Sequence, residues 1–188
     1  YYENGDYPVI QTIRLPYALS LADIQFLPEG GHWVVGKKST IAFRALDPDG
    51  NPVEIQGEIE GQNFATRFGG MGKFEITPTK TDYSATITNP KTGVSRTVAR
   101  PKADTNGLIL QVVNNPGAAF ITAFVQGDYD PNSLLLVSQT RGVINYMIQG
   151  ALANGVWGVR IPKENLISGI NHITVLSSEG KPLLERLI

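Results

Sequence analysis

Cysteine is absent from all 188 residues, so this segment forms no disulfide, offers no thiolate to zinc and carries no cysteine nucleophile. Histidine is scarce as well. His32 and His172 are far apart, neither sits in a local ligand spacing, and both read as surface or interface residues. Charge of one sign is lacking: 16 Lys and Arg stand against 17 Asp and Glu. The balance holds on both sides of residue 103, with 11 and 11 before it and 5 and 6 after it. Such a chain has no long-range attraction for nucleic acid or an anionic membrane. No apolar run approaches the ~20 residues needed to cross a bilayer as a helix, so direct membrane insertion is not expected. The opening Tyr1-Tyr2-Glu3-Asn4-Gly5-Asp6 has neither an initiator methionine nor a signal-peptide core, and reads as the start of a piece of a longer polypeptide.

What is present is a succession of short β-branched and aromatic runs between turns, with 20 Gly and 12 Pro. Strands are expected over 9–16, 24–26, 39–45, 53–60, 63–68, 73–76, 83–88 and 95–98. In 39–45, Ile41, Phe43 and Ala45 share one face and Thr40, Ala42 and Arg44 the other, the period of a half-buried strand. Asp47-Pro48-Asp49-Gly50-Asn51-Pro52 reverses the chain. Further strands are expected over 107–113, 119–126, 133–139, 142–149, 156–161, 170–176 and 183–188. Pro162-Lys163-Glu164-Asn165-Leu166 suits a single turn or 3₁₀ piece. The polar Arg100-Pro101-Lys102-Ala103-Asp104 is the best boundary between two modules, each with roughly six or seven strands, a sandwich count. Asp49-Gly50-Asn51-Pro52-Val53 and Glu179-Gly180-Lys181-Pro182-Leu183 share a pattern that fits either duplicated hairpins or independent use of one favoured turn.

The candidate sites are few. Asp47, Asp49 and Asn51 alternate like the start of a calcium loop, but the glycine is misplaced and prolines 48 and 52 oppose the geometry, so a hairpin turn is expected; Asp128 and Asp130 are read in the same way. No serine sits in a Gly-x-Ser-x-Gly elbow, and no carboxylate pair is singled out for glycoside hydrolysis. Gly69-Gly70-Met71-Gly72 lacks the Lys-Ser/Thr and helix of a phosphate loop; Gly70 and Gly72 instead suit a bulge or close backbone crossing. The aromatics Phe26, Trp33, Phe43, Phe64, Phe68, Phe74 and Tyr83 are expected in the first core, with Trp33 plugging the sandwich end. Tyr129, Tyr146 and Trp157 either line a carbohydrate or peptide platform or pack in the core or between the modules. In Pro28-Glu29-Gly30-Gly31 the proline ends a strand, the glycines open a turn that a Cβ would obstruct, and Glu29 is placed to accept backbone or arginine hydrogen bonds across the module junction.

Read together, Phe26-Leu27-Pro28-Glu29-Gly30-Gly31-His32-Trp33-Val34-Val35-Gly36, Ile41-Ala42-Phe43-Arg44-Ala45, Asp49-Gly50-Asn51-Pro52-Val53 and Gly70-Met71-Gly72-Lys73-Phe74-Glu75-Ile76 resemble the macroglobulin-like domains of alpha-2-macroglobulins. The likeness is strongest to such domains in large exported Bacteroidetes proteins, some with a plug-like domain similar to that of TonB-dependent receptors. Ile161-Pro162-Lys163-Glu164-Asn165-Leu166, Gly169-Ile170, Gly180-Lys181-Pro182-Leu183 and Glu185-Arg186-Leu187 look like the end of the adjacent module in such proteins. The resemblance implies an all-β fold: tandem antiparallel β-sandwiches with macroglobulin-like, fibronectin/immunoglobulin-like architecture. It implies the tail of a preceding module or linker at 1–21, one sandwich at 22–103 and a second at 104–188. It further implies a non-catalytic structural or interaction segment without cofactor or metal. Its partners would be neighbouring domains of the same polypeptide and other cell-envelope proteins, and its setting the periplasm or cell surface, outer-membrane-associated through the parent protein. Outer-membrane transport and protease defence are the implied contexts. The thioester of protease-trapping members needs a cysteine, which this chain lacks. A carbohydrate or peptide binding module is the alternative.

Overall fold

The computed structural model describes residues 2–4, 7–9, 23–99, 102–128 and 133–188. A short antiparallel pair, β1 (Tyr2–Asn4) and β2 (Tyr7–Val9), stands first. The strand expected over 9–16 therefore overlaps the described residues only at Val9; its remainder, like most of the 1–21 segment, lies outside them.

Seven strands follow: β3 (Asp23–Pro28), β4 (Ser39–Leu46), β5 (Gln56–Ile59), β6 (Gln62–Ala65), β7 (Met71–Ile76), β8 (Ser84–Thr88) and β9 (Ser95–Ala99). They form one sheet in the order β3-β4-β7 and another in the order β6-β5-β8-β9. Then come β10 (Leu108–Val113), β11 (Phe120–Gly127), β12 (Leu134–Thr140), β13 (Val143–Gly150), β14 (Val156–Pro162), a 3₁₀ turn at Lys163–Asn165, β15 (His172–Ser177) and β16 (Pro182–Leu187). Their sheets are β10-β11-β14 and β13-β12-β15-β16. Within each set of seven the orders are the same: first-second-fifth, and fourth-third-sixth-seventh. All the strand pairs are antiparallel. The molecule is thus a tandem of antiparallel β-sandwiches of fibronectin/immunoglobulin type.

Alternation along the strands builds two cores. In β4, Ser39, Ile41, Phe43 and Ala45 point inward, and in β12, Leu134, Leu136, Ser138 and Thr140 do so. The first cluster of buried side chains draws on residues 24–103 and the second on 108–184. Phe26, Phe43, Phe64 and Phe74 meet at the centre of the first, with ring centroids 4.8–6.3 Å apart. Each fully buried aromatic of this kind contributes roughly 1.5–3 kcal/mol. Trp33 stacks on Tyr83 at 4.9 Å, and the Tyr83 hydroxyl accepts hydrogen bonds from the amides of Thr79 and Lys80, at 2.5 and 2.9 Å.

Three expectations need correction. Phe68 is 81% exposed and not in the core, because it sits in the tight turn where its amide and that of Met71 bond each other's carbonyls. The strand expected over 53–60 shrinks to Gln56–Ile59. Pro52 has no N–H to give a ladder, and the amide of Val53 still bonds Ala45 of β4 while β5 already pairs with β8 in the other sheet, so 52–55 is the crossing between sheets. The strand expected over 63–68 ends at Ala65 for the same local reason as Phe68.

The two look-alike turns have one geometry. Asp47 N donates to Asn51 O and Gly50 N to Asp47 O; Ser177 N donates to Lys181 O and Gly180 N to Ser177 O, at 2.9–3.0 Å. Yet the first joins the second strand of its sandwich to the third, and the second joins the sixth to the seventh. Independent use of a favoured turn is therefore the explanation, not duplication of a hairpin.

Candidate functional site

The most constructed polar feature is the meeting of the two sandwiches. Pro28 closes β3, opposite Ile41 of β4, and Glu29 N donates to Thr40 O at 2.8 Å while Gly31 N returns to Pro28 O at 3.0 Å. Both glycines have positive φ, +79° at Gly30 and +97° at Gly31. Their surroundings differ sharply. A Cβ on Gly30 would lie 2.9 Å from the Leu110 carbonyl oxygen and 3.0 Å from Leu110 Cβ, whereas a Cβ on Gly31 would meet nothing within 4 Å. Gly30 thus lets the backbone of the first sandwich rest on β10 of the second.

Beside that contact, Arg186 Nε donates to Glu29 Oε1 at 2.9 Å, with the Glu29 side chain only 15% exposed. Gln111 Nε2 donates to Lys38 O at 2.9 Å, and Lys37 Nζ reaches Asp128 Oδ1 at 3.3 Å. The connecting segment is stitched down by Asp104 N to Trp33 O at 2.7 Å and Val35 N to Asp104 O at 2.9 Å. Two recesses flank the junction. A groove of about 620 Å³ is bordered by Leu27, Glu29, Lys73, Val113, Arg186 and Leu187. A smaller one of about 170 Å³ lies among His32, Asp104, Leu108, Leu183 and Leu184.

Each histidine faces one carboxylate: His32 Nδ1 is 3.2 Å from Asp104 Oδ2 and His172 Nδ1 is 2.7 Å from Glu185 Oε1, and neither ring is buried. Among the described residues no group of three or more His, Asp and Glu is placed to hold a metal ion. Asp47 spends its carboxylate on the turn, its Oδ1 accepting from Asp49 N at 2.9 Å and Asn51 N at 2.8 Å. Those bonds, led by the Asn51 amide, hold its pKa below the ordinary aspartate value. Asp128 is spent on Lys37, and Asp130 lies outside the described residues.

The other residues singled out by sequence are dispersed. Gly70, with φ +72°, brings its backbone against Ala45 O, and a Cβ on Gly72 would lie 2.5 Å from Ala65 O and from the Phe43 ring. Tyr146 and Trp157 both pack against the second core, and they link the edge strands β13 and β14 of opposing sheets. The Tyr146 hydroxyl donates to Arg160 O at 3.3 Å, and Trp157 covers Gly150. Tyr129 lies outside the described residues. What the sequence did not assign to the junction is its far side, Leu110, Gln111 and Arg186. Only the appetite of Glu29 for an arginine signalled it, and five arginine or lysine residues after position 103 were equal claimants.

No family model matches the chain. No curated protein matches it either. Solved structures with related architecture include the alpha-2-macroglobulin of E. coli in its native conformation, 14% identical, with a TM-score of 0.30 over 92% of this chain and 14% of that one. Domains 5–6 of the S-layer protein SbsC are 14% identical, with a TM-score of 0.39 over 89% of this chain and 96% of that one. A bacterial ice-binding adhesin of 1.5 MDa is 16% identical, with a TM-score of 0.30 over 89% of this chain and 63% of the solved one. The chain spans about one seventh of the macroglobulin chain. Likeness at this level is of general architecture and does not carry function across.

Proposed function

We propose that this chain is a non-catalytic spacer and interaction segment of a larger exported polypeptide, periplasmic or on the cell surface, with residues 22–103 and 104–188 as its two modules. Glycine at 30, the nearly buried Glu29 and its bond to Arg186 carry this reading. An enzyme concentrates polar atoms in a cleft, whereas here they are spent on holding one sandwich against the next. The exported setting rests on the resemblance of the Pro28–Gly31 block and its neighbours to macroglobulin-like domains, and association with the outer membrane through the parent protein rests on the same ground. Within that setting the groove beside Glu29 serves as a contact surface for neighbouring domains.

Backbone ¹⁵N relaxation on the 188-residue chain tests the mechanical part of the proposal. Residues of β4 and β12 are expected to report one common tumbling time, that of the whole chain. Two distinct, shorter times, each near that of a sandwich alone, would remove the spacer reading.

A further inference from the structure

Sandwich sheets end in open edges, and natural chains defend them with charge, proline or shortness. Nearly every edge here is defended. β3 carries Asp23 and Pro28, β7 Lys73 and Glu75, β9 Arg96, β14 Arg160 and Pro162, and β16 Pro182, Glu185 and Arg186; β6 has four residues. β10 lacks charge but lies against Gly30 and packs beside β16. β13 is the exception. Val143-Ile144-Asn145-Tyr146-Met147-Ile148-Gln149-Gly150 is eight residues long and has neither charge nor proline. Val143, Ile144 and Met147 are 56–60% exposed.

The one irregularity in β13 does not blunt it. The register with β12 slips at Asn145, which is the extra residue between Ile144 and Tyr146. Its amide turns inward and donates to Thr140 Oγ1 and Asn171 Oδ1, at 3.1 and 2.9 Å. Beyond it, Tyr146–Gly150 runs in unbroken register, Met147 opposite Val137 and Gln149 opposite Leu135. Val137 and Leu135 are only half-buried, so the outer face beside this edge is apolar as well.

We propose that β13 pairs antiparallel with β13 of a second copy of this chain, continuing the four-stranded sheet into eight strands about a two-fold axis. Self-pairing suits this strand because an uncharged edge meets no like charge when it faces itself, whereas a charged partner would gain nothing from it. The closed pair leaves no further undefended edge among the described strands, so assembly stops at two. An edge about 27 Å long and ~10 Å thick covers roughly 270 Å² on each copy, on the order of 500 Å² together, the size of a weak and transient contact. The dimer is accordingly a dissociable one.

Sedimentation equilibrium of the 188-residue chain from ~1 μM to ~1 mM tests this. A monomer–dimer equilibrium is expected, weakened at least ~10-fold by Met147→Lys, which sets two ammonium groups near each other at the axis. Phe68→Lys, at a more exposed apolar residue far from β13, leaves the equilibrium unchanged. Far-UV circular dichroism checks that both variants keep the fold. A monomer at every concentration, or an association that Phe68→Lys weakens as much as Met147→Lys, overturns the proposal. The absence of cysteine allows a second readout. Single cysteines at Met147, Ile148 and Gln149 are oxidised in turn, and a disulfide-linked dimer is expected from the one nearest the axis but not from Phe68→Cys. No cross-link above the Phe68→Cys level at any of the three also overturns it.

Discussion

Gly30 and Gly31 allow the junction to be separated from ordinary backbone strain. Both have positive φ, so alanine at either one pays about 1–2 kcal/mol for entering the left-handed region. At Gly31 nothing lies within 4 Å of the added methyl, and the cost ends there. At Gly30 the methyl lands 2.9 Å from a carbonyl oxygen of β10, and backbone cannot swing aside as a side chain can. Relieving that overlap costs a further ~1–3 kcal/mol, or forces the modules apart at the expense of their mutual support. The chain carries its own reporters, because its two tryptophans divide between the cores: Trp33 in the first and Trp157 against the second. With Trp157→Phe as background, urea unfolding followed by fluorescence reads the first module; with Trp33→Phe it reads the second. Gly31→Ala is expected to lower the transition of the first module alone. Gly30→Ala is expected to lower both, the first by ~2–5 kcal/mol in total. If Gly30→Ala moved only the first module, and by no more than Gly31→Ala, the junction would not couple the sandwiches.

Two other perturbations have firm expectations. Asn171 is buried and ties four groups together: it accepts from Thr140 and Asn145, and donates to the carbonyls of Ile167 and Gly169. Asn171→Ala leaves them unpaired and is expected to cost ~2–4 kcal/mol in the second module, read as the urea midpoint in the Trp33→Phe background. Asp47 is exposed and its pKa is depressed by the amides it accepts from, so its contribution is present above the unfolded-state pKa and fades as pH falls through the folded one. The amides of Asp49 and Asn51 are expected to exchange faster with acidification in that window, beyond the intrinsic rate change, and Asp47→Asn to abolish this pH dependence in hydrogen-exchange NMR.

Much of the architecture was readable because alternation is a local property. Ile41, Phe43 and Ala45 announce their face without knowing what lies opposite, and the Asp47–Asn51 and Ser177–Lys181 turns are written in their own five residues. Phe68 shows where that reading fails. An aromatic at a strand-like position looks like core, but a glycine pair immediately after it ends the strand and turns the ring to solvent. The 52–55 crossing failed for a related reason, since periodicity cannot say when a chain changes sheets. The junction was half legible. The Pro-Glu-Gly-Gly block advertises a turn and a carboxylate seeking a donor, but which distant residues meet it is decided by the packing of two folded bodies. The polarity of β13 was equally plain in its letters. That it would lie at an edge rather than in the middle of a sheet was not.

The Glu29–Arg186 bond joins positions 157 residues apart. During synthesis from the amino terminus, the leading sandwich can close its own phenylalanine core long before residue 186 has left the ribosome. Its glutamate must wait, solvated, for the final strand of the trailing sandwich to arrive. The angle between the halves is therefore locked last, and any factor that holds the closing strand back also keeps the hinge open.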